Sequence, residues 1–203
     1  MPFLLWCILG GFLLCYLDST TLFAFINTHH STWADTLMET MSLLGEGVYI
    51  VLIGLVLLLC KPFRNIYFFI GAILCTLLPS LLTQLLKHLF VSPRPMSVYE
   101  GAPWVHHLAH WALLHNNSFP SGHTTGAFGF MCFLACMLPK AYRYWGVLLF
   151  LFALSTAYAR VYLAAHFFVD VYVGSIIGVV FSYLICWLLF YVKDKRLQQE
   201  STL

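Results

Sequence analysis

Three short clusters of side chains in this sequence carry the charges and functional groups needed to bind and transfer a phosphate. They are Lys87 with Arg94-Pro95, the run Pro120-Ser121-Gly122-His123, and Arg160 followed by His166 and Asp170. Phosphoryl transfer depends mainly on positioning and on neutralising the charge of the phosphoryl oxygens. One ammonium and two guanidinium groups supply that charge, and each guanidinium can bind two phosphate oxygens at once. We therefore predict that Lys87, Arg94 and Arg160 bind phosphate.

The third cluster also carries a candidate nucleophile. His166 and Asp170 are four residues apart, so on a helix they face the same way. Asp170 can then accept a hydrogen bond from one imidazole nitrogen and leave the lone pair of the other pointing at phosphorus. We predict that His166 forms a phosphohistidine and that His123 protonates the departing oxygen and later activates water. Because one imidazole must be neutral and the other charged, activity should follow a bell-shaped pH profile.

The second cluster predicts the start of a helix. Ser121 and Gly122 stand where the apolar run of a span begins. The unpaired N–H groups and the dipole of a helix N-terminus favour an anion. Gly122 also has no side chain that would hold a phosphate away from the backbone. We therefore predict that Ser121 and Gly122 contribute to phosphate binding.

Together the three clusters resemble the signature of the type 2 phosphatidic acid phosphatase (PAP2) superfamily, which reads K-x6-RP, PSGH and SR-x5-H-x3-D. The order of the motifs and the spacing within each are the same, and the one departure is Ala159, where the family often has Ser. The resemblance implies an all-α membrane bundle of six helices, outward-facing motifs and the same roles for the matching residues. It also implies catalysis without a metal or other cofactor. A soluble vanadium haloperoxidase branch shares the phosphate-binding motifs, but this hydrophobic chain is unlike it.

Transmembrane helices are the elements that must position these clusters. Of the 203 residues, 61% are hydrophobic and only 9% are charged, with a mean hydropathy of +0.86, which is typical of a polytopic membrane protein. About 20 apolar residues are needed to cross a bilayer core of about 30 Å. We predict one domain over residues 1–203 with six transmembrane helices. The predicted spans are residues 2–17, 46–60, 66–90, 120–138, 144–163 and 166–192.

The positions of Lys and Arg indicate how the spans are oriented. Cytoplasmic loops gather these residues, so the seven that follow every second apolar stretch mark the inner face. The seven are Lys61, Arg64, Lys140, Arg143, Lys193, Lys195 and Arg196. The other three are the phosphate-binding candidates, which fall at the outer ends of spans. This pattern predicts cytoplasmic termini and a site on the outer side of the membrane. The compactness of the chain favours a bacterial inner membrane, so the site would face the periplasm or exterior. The net charge of +2 comes from the inner loops and requires no nucleic-acid partner.

Two segments outside the spans predict amphipathic helices at the outer interface. One covers residues 31–44, where apolar side chains recur at helical spacing after Trp33. The other lies around residues 104–111, where Trp104, Leu108 and Trp111 share one helical face. Within the last span, a face formed by Gly174 and Gly178 favours close helix packing.

The remaining histidines allow a competing metal-site hypothesis. His106, His107 and His110 are close enough on a helix to suggest a metal site, with His115 nearby. We favour the alternative that they belong to a solvated outer loop, with a lid or headgroup contact as a further hypothesis. The seven cysteines lie in predicted spans or at the inner end of one, so we expect packing residues rather than a disulfide framework.

The sequence therefore predicts an integral-membrane phosphatase that acts on the terminal phosphate or diphosphate of a lipid. Undecaprenyl diphosphate is the leading substrate, because a compact chain without a soluble domain resembles bacterial enzymes of that kind. Phosphatidylglycerol phosphate, phosphatidic acid and lipid A phosphates are alternatives, and so is phosphotransfer to a second lipid. A transporter or scramblase would carry polar residues along a path through several spans, whereas here they cluster at one depth. We expect lipids as partners, with no nucleic acid and no obligate protein partner.

Overall fold

The computed structural model describes residues 2–111 and 114–200, and all regular structure in these ranges is helical. This confirms the all-α fold class. The described α-helices are α1 (Pro2–Tyr16), α2 (Ser19–Thr28), α3 (Thr32–Leu44), α4 (Gly47–Leu57), α5 (Ile66–Leu89), α6 (Pro95–Val98), α7 (Gly122–Met137), α8 (Gly146–Tyr162) and α9 (Phe168–Glu200). Short 3-10 turns at Lys61–Phe63 and Lys140–Trp145 join α4 to α5 and α7 to α8.

The central helix of the bundle is α7. Most of its residues are buried, and it packs against α5, α8 and α9. Its sequence is apolar or small on every side, as expected of a helix that is surrounded by other helices. Phe128, Phe130 and Phe133 are almost completely buried and fill the space between α7 and its neighbours. The predicted clusters at the ends of these helices are therefore held by one common core.

Glycines set the distance between α7 and α9. A Cβ atom built at Gly174 would lie 2.8 Å from the carbonyl oxygen of Ser121, and one built at Gly178 would lie 2.8 Å from the backbone nitrogen of Gly129. The two backbones are thus in direct contact, which only residues without a side chain permit. The predicted small-residue face is confirmed, and Gly174 lies one turn from Asp170. This contact fixes the start of α9 against the start of α7.

The protein carries helices that are long and apolar enough to cross a membrane. In the described ranges these are Ile66–Leu89, Lys140–Tyr162 and Phe168–Arg196. Two bent pairs, α1 with α2 at 111° and α3 with α4 at 67°, would raise the number to five if each pair is one span. The 16 residues of α7 cover only about 24 Å. An integral-membrane protein is therefore supported, and the count of six crossings stays a prediction.

The segment after the first predicted span contains a helix that the sequence analysis did not predict. This helix, α2, begins at Ser19. Asp18 stabilises this start, since its Oδ1 atom accepts a hydrogen bond of 2.6 Å from the backbone nitrogen of Thr21. The helix predicted over residues 31–44 is confirmed as α3, while its position at the membrane interface stays a prediction.

The prediction of a second outer helix, around residues 104–111, is wrong. These residues form turns and loop. Gly101 has a φ of 73°, which a helix does not use, and Pro103 follows two residues later. The backbone of His106 then bonds to a side chain instead of a helical turn: its N–H donates to Oδ1 of Asn27, and its carbonyl accepts from Nδ2, both at 2.8 Å. A tertiary contact therefore overrides the helical spacing of the apolar residues.

Candidate active site

The three predicted clusters lie at one end of the bundle. Because α5 and α8 end where α7 and α9 begin, the last turns of the first two helices meet the first turns of the others. Lys87 and Arg160 lie in those last turns, and His123 and Asp170 in those first turns. Lys87 is close enough to Arg94, Arg160 and Asp170 to interact with them electrostatically. We call this end of the bundle the site end.

His166 lies in the loop between α8 and α9 and is 1% exposed. Its Nδ1 atom is 3.4 Å from Oδ2 of Asp170, and its Nε2 atom is 3.5 Å from Nη1 of Arg94. We assign the proton to Nδ1, because Arg94 can only donate and therefore requires a lone pair on Nε2. Burial, followed by the charges of Arg160, Arg94 and Lys87, lowers the pKa of His166 well below its usual value. The lowered pKa favours the neutral imidazole, and the Nε2 lone pair then faces Arg94.

Asp170 is held by donors in addition to the histidine. Its Oδ2 atom accepts hydrogen bonds from Oγ of Ser118 at 2.5 Å and from the backbone nitrogen of Phe167 at 2.9 Å. Ser118 is completely buried, and its Oγ atom also lies 3.4 Å from Nδ1 of His166. The sequence motifs did not predict a role for Ser118. It lies two residues before Pro120, and this position alone does not indicate a contact with Asp170.

Arg94 joins three loops. Its Nε atom donates to the carbonyl oxygen of Asn116 and its Nη1 atom to that of Ala165, each at 2.9 Å, while Nη2 lies 3.4 Å from the carbonyl oxygen of Asn117. Burial lowers the pKa of this guanidinium, and the negative charge of Asp170 opposes that effect. An arginine has five N–H donors, so most of those on Arg94 are engaged by backbone carbonyls. Arg94 therefore organises the loops around His166 and offers few free donors to a phosphate.

Arg160 is differently arranged. It is 3% exposed and donates from Nη1 to Oγ of Ser42 at 2.6 Å. Its Nε atom is buried and has no hydrogen-bond partner in the part of the chain that the structure describes. A buried N–H group without an acceptor is destabilising, so Nε of Arg160 is suited to donate a hydrogen bond to an oxygen of an anionic ligand. Ser42 belongs to α3, a helix that the sequence motifs did not place at the site.

The start of α7 is as predicted at Gly122, with Ser121 as the N-cap. The Ser121 hydroxyl accepts hydrogen bonds from the backbone nitrogen of Thr124 at 3.4 Å and from its Oγ1 at 3.0 Å. The backbone nitrogen of Ser121 donates to the carbonyl oxygen of Asp170 at 3.0 Å. A Cβ atom built at Gly122 would meet only Cγ2 of Thr83, at 3.8 Å. The hydroxyl thus caps the helix, while the backbone at Gly122 faces open space.

A cavity of about 180 Å³ leads away from Gly122 and His123. Its other walls are polar residues of α5, such as Thr83 and Gln84, and the glycines around the start of α4. A second, largely apolar groove of about 330 Å³ runs between α4 and α5. The residues that line both spaces are Ile50, Thr76 and Ser80. The cavity at His123 therefore adjoins a largely apolar groove between α4 and α5.

The outer histidines bind carboxylates of α3. Nε2 of His106 lies 2.7 Å from Oδ1 of Asp35, which also accepts a hydrogen bond of 2.6 Å from the Tyr162 hydroxyl. Nε2 of His110 lies 3.0 Å from Oε1 of Glu39. Among the described residues no three His, Cys, Asp or Glu side chains are arranged to hold a metal ion. These contacts instead fasten the loop that follows α6 onto α3 and α8.

A family model described as the PAP2 superfamily matches residues 68–194, which contain all three clusters. Among curated proteins, the lipid A 4'-phosphatase of Bacteroides thetaiotaomicron is 34% identical over 86 residues, which are 41% of this chain and 36% of the relative. YbjG of Escherichia coli (strain K12), provisionally named an undecaprenyl-diphosphatase, is 35% identical over 94 residues, or 46% and 42% of the two chains. The matched segment thus spans about two fifths of the length of these curated relatives.

Two solved structures are similar along most of the chain. Aquifex aeolicus LpxE has a TM-score of 0.66 and 29% identity, covering 82% of this chain and 93% of that one. The first transmembrane PAP2 type phosphatidylglycerolphosphate phosphatase from Bacillus subtilis has a TM-score of 0.64 and 22% identity, covering 95% and 94%; this second likeness bears on the fold alone. Because the family model matches more than half of the chain, the protein belongs to the PAP2 superfamily.

Proposed function

We propose that the protein hydrolyses the terminal phosphate or diphosphate of a membrane lipid through a phosphohistidine on His166. The observation that carries this proposal is the environment of that imidazole. His166 is buried, with Nδ1 near Asp170 and Nε2 near Arg94. A neutral imidazole whose lone pair meets a group of cations is arranged to attack an electrophile that carries negative charge.

In the first step, Nε2 of His166 attacks phosphorus and the bond from phosphorus to the leaving oxygen breaks. His123 gives its proton to that oxygen, so the lipid product leaves as an alcohol or a shorter phosphate. Asp170 stabilises the positive charge that develops on His166. Lys87, Arg160 and the N–H groups at the start of α7 neutralise the phosphoryl oxygens.

In the second step, water attacks the phosphohistidine. His123, now neutral, takes a proton from the water as its oxygen bonds to phosphorus. The bond between phosphorus and Nε2 of His166 breaks, and inorganic phosphate leaves with the imidazole returned to its starting form. If the hydroxyl or phosphate of a second lipid replaced water, the same residues would perform a phosphotransfer.

The groove between α4 and α5 supports a lipid substrate. It is lined mainly by apolar side chains and joins the cavity at His123 through Thr76 and Ser80. A hydrocarbon tail in this groove would leave its phosphate beside His123 and the start of α7. We keep undecaprenyl diphosphate as the leading substrate, in line with the name given to YbjG. Lipid A, phosphatidylglycerol phosphate and phosphatidic acid remain alternatives, the first in line with the name of the Bacteroides relative.

The proposed location is a bacterial inner membrane, with the site end away from the cytoplasm. Support comes from the seven Lys and Arg residues that belong to the opposite end of the bundle or to the loops there. The proposed orientation places both termini in the cytoplasm. The terminal residues themselves, Met1 and residues 201–203, lie outside the described ranges.

The direct test is phosphate release by the purified protein from a panel of these lipids in detergent, with and without a second lipid as acceptor. We expect one lipid phosphate to be hydrolysed with a clearly higher kcat/KM. The variants His166→Ala and His123→Ala should each lose roughly 10⁴-fold or more in kcat. His88→Ala, an exposed histidine next to Lys87, is the matched control and should retain activity. Normally folded His166→Ala protein with undiminished turnover would refute the proposal.

A further inference from the structure

We propose that the end of the bundle opposite the site end binds an anionic diacyl phospholipid, with its headgroup at Arg143. This opposite end lies about 24 Å away along α7, which runs from Gly122 at the candidate active site to Met137. The site proposed here takes part in no step of the hydrolysis. It would recognise a phosphodiester that carries a net negative charge.

A cavity of about 300 Å³ provides the headgroup pocket. It lies between the first residues of α5, the last residues of α7 and the C-terminal half of α9. Lys140, Arg143 and Lys193 line it together with Asn65, whose amide adds a polar group. Three cations therefore surround one space, which is the arrangement expected of a pocket for the headgroup of an anionic lipid.

These cations have no counter-charge among the side chains that the structure describes. Within residues 2–111, 114–196, 198 and 199, the side chains of Lys140, Arg143 and Lys193 form no ion pair or hydrogen bond. Lys193 lies over the ring of Tyr67, with 5.9 Å between its Nζ atom and the ring centroid. Asp194, which is adjacent in sequence, makes no ion pair with them. The charge of the pocket is thus available to an anion from outside the protein.

Two apolar grooves meet the pocket at Arg143. One, of about 230 Å³, passes between α1, α7 and α8 along residues such as Phe3, Phe128 and Phe150. The other, of about 490 Å³, passes between α7 and α9 beside Trp187 and further apolar residues. Arg143 lines both grooves as well as the headgroup pocket. The two grooves adjoin each other, since both are also lined by Cys132, Ala135 and Tyr183. A cationic pocket beside two apolar grooves matches a lipid that has one anionic headgroup and two acyl chains.

Aromatic side chains place this pocket at the level of lipid headgroups. Tyr144 and Trp145 precede α8 with their ring centroids 5.4 Å apart, and Trp187 and Tyr191 stack on α9 at 6.0 Å. All four are exposed. Exposed Trp and Tyr residues are enriched where a membrane meets water. A phospholipid whose headgroup sits at Arg143 would have its acyl chains directed into the bilayer, along the apolar grooves.

The test is binding of phosphatidylglycerol to the purified full-length protein in neutral detergent, with phosphatidylcholine as the zwitterionic probe. We expect saturable binding of phosphatidylglycerol, which weakens roughly fivefold in Arg143→Gln, and further when Lys140→Gln and Lys193→Gln are added. Arg143→Lys should recover most of the affinity. Arg64→Gln is the matched control, since Arg64 belongs to the same end of the bundle but does not line the pocket.

Three outcomes would overturn this proposal. They are equal binding of phosphatidylcholine, equal weakening by Arg64→Gln and Arg143→Gln, and no saturable binding of phosphatidylglycerol. The second would show that the charge of the whole face, and not a pocket, attracts the lipid. Hydrolysis of the lipid phosphate panel is measured separately, so failure of one proposal is distinguishable from failure of the other.

Discussion

The two ends of the bundle carry similar cations in opposite surroundings. Arg94 and Arg160 at the site end are 5% and 3% exposed, whereas Arg143 at the opposite end is exposed. Moving a charge out of water costs several kcal/mol unless partners compensate it. The buried arginines therefore require fixed acceptors or an anionic ligand, while the exposed one requires neither. The comparison teaches that burial, and not the number of positive charges, separates a candidate catalytic pocket from a membrane-surface pocket.

The largest effect should come from removing a buried cation at the site end. Arg160→Gln should lower kcat for lipid phosphate hydrolysis about 10²–10³-fold, as loss of a preorganised donor does. The same change removes the hydrogen bond from Nη1 to Ser42 but also removes a buried charge whose Nε lacks a partner, so the midpoint of thermal unfolding should change little. Activity assays and thermal unfolding of both proteins in detergent check this.

Arg64→Gln is the control for that experiment, since it removes the same charge at the opposite end. It should leave both kcat and the unfolding midpoint close to wild type. Equal loss of activity in Arg64→Gln and Arg160→Gln would contradict the distinction between the two ends.

A smaller effect should follow from adding a single methyl group at each end. In Gly174→Ala the new Cβ would lie 2.8 Å from the carbonyl oxygen of Ser121, so α9 must move away from α7. We expect a loss of about 1–3 kcal/mol in the free energy of unfolding, together with reduced kcat, because Ser121 and Asp170 separate. In Gly146→Ala the Cβ would lie 3.7 Å from that of Ala135, an ordinary contact, and stability should hardly change. Equal unfolding midpoints for the two variants would refute this account of the α7–α9 contact.

Substitution of Ser118 tests whether its hydroxyl is needed to position Asp170. Ser118→Ala removes the hydroxyl that donates to Asp170, and a hydrogen bond to a charged group is worth about 1.5–3 kcal/mol. We expect kcat to fall about tenfold or more, with little change in KM, since Ser118 acts through Asp170. Ser118→Thr should restore most of the rate. Unchanged kcat in Ser118→Ala would mean that Phe167 N–H and His166 suffice to position Asp170.

The smallest effect is a displacement of the pH profile. Burial and the neighbouring cations lower the pKa of His166, so the neutral imidazole should persist, and activity with it, below the usual histidine value of about 6.5. Lys87→Gln removes one of those cations and raises this pKa, so activity should be lost at a higher pH as the solution is acidified. Profiles of kcat/KM against pH for both proteins check the sign. Lys61→Gln, at the opposite end, is the control and should leave the acid limb of the profile unchanged. A displaced acid limb in Lys61→Gln, or an unchanged one in Lys87→Gln, would contradict the effect assigned to Lys87.

The positions of residues at helix ends were predictable, because consecutive membrane spans run in opposite directions and the end of one lies beside the start of the next. This rule is enough to expect Lys87, His123, Arg160 and Asp170 at the same end of the bundle. Partners supplied by loops and by α3 were not predictable. Ser118 and Ser42 meet Asp170 and Arg160 only after the chain has folded, since no local spacing links them. The same limit explains the wrong helix at residues 104–111, where the Asn27 side chain takes the backbone hydrogen bonds of His106.

The central claim, that Nε2 of His166 attacks phosphorus, is tested most directly by trapping the covalent intermediate. Labelled lipid phosphate is mixed with the wild type and with His123→Ala, which should slow the attack of water, and the reaction is stopped in alkali within milliseconds. Mass spectrometry of the resulting peptides should find a phosphate on His166 of the wild type. A phosphate on any other residue, or turnover by the wild type with no phosphoenzyme at any time point, would contradict the mechanism.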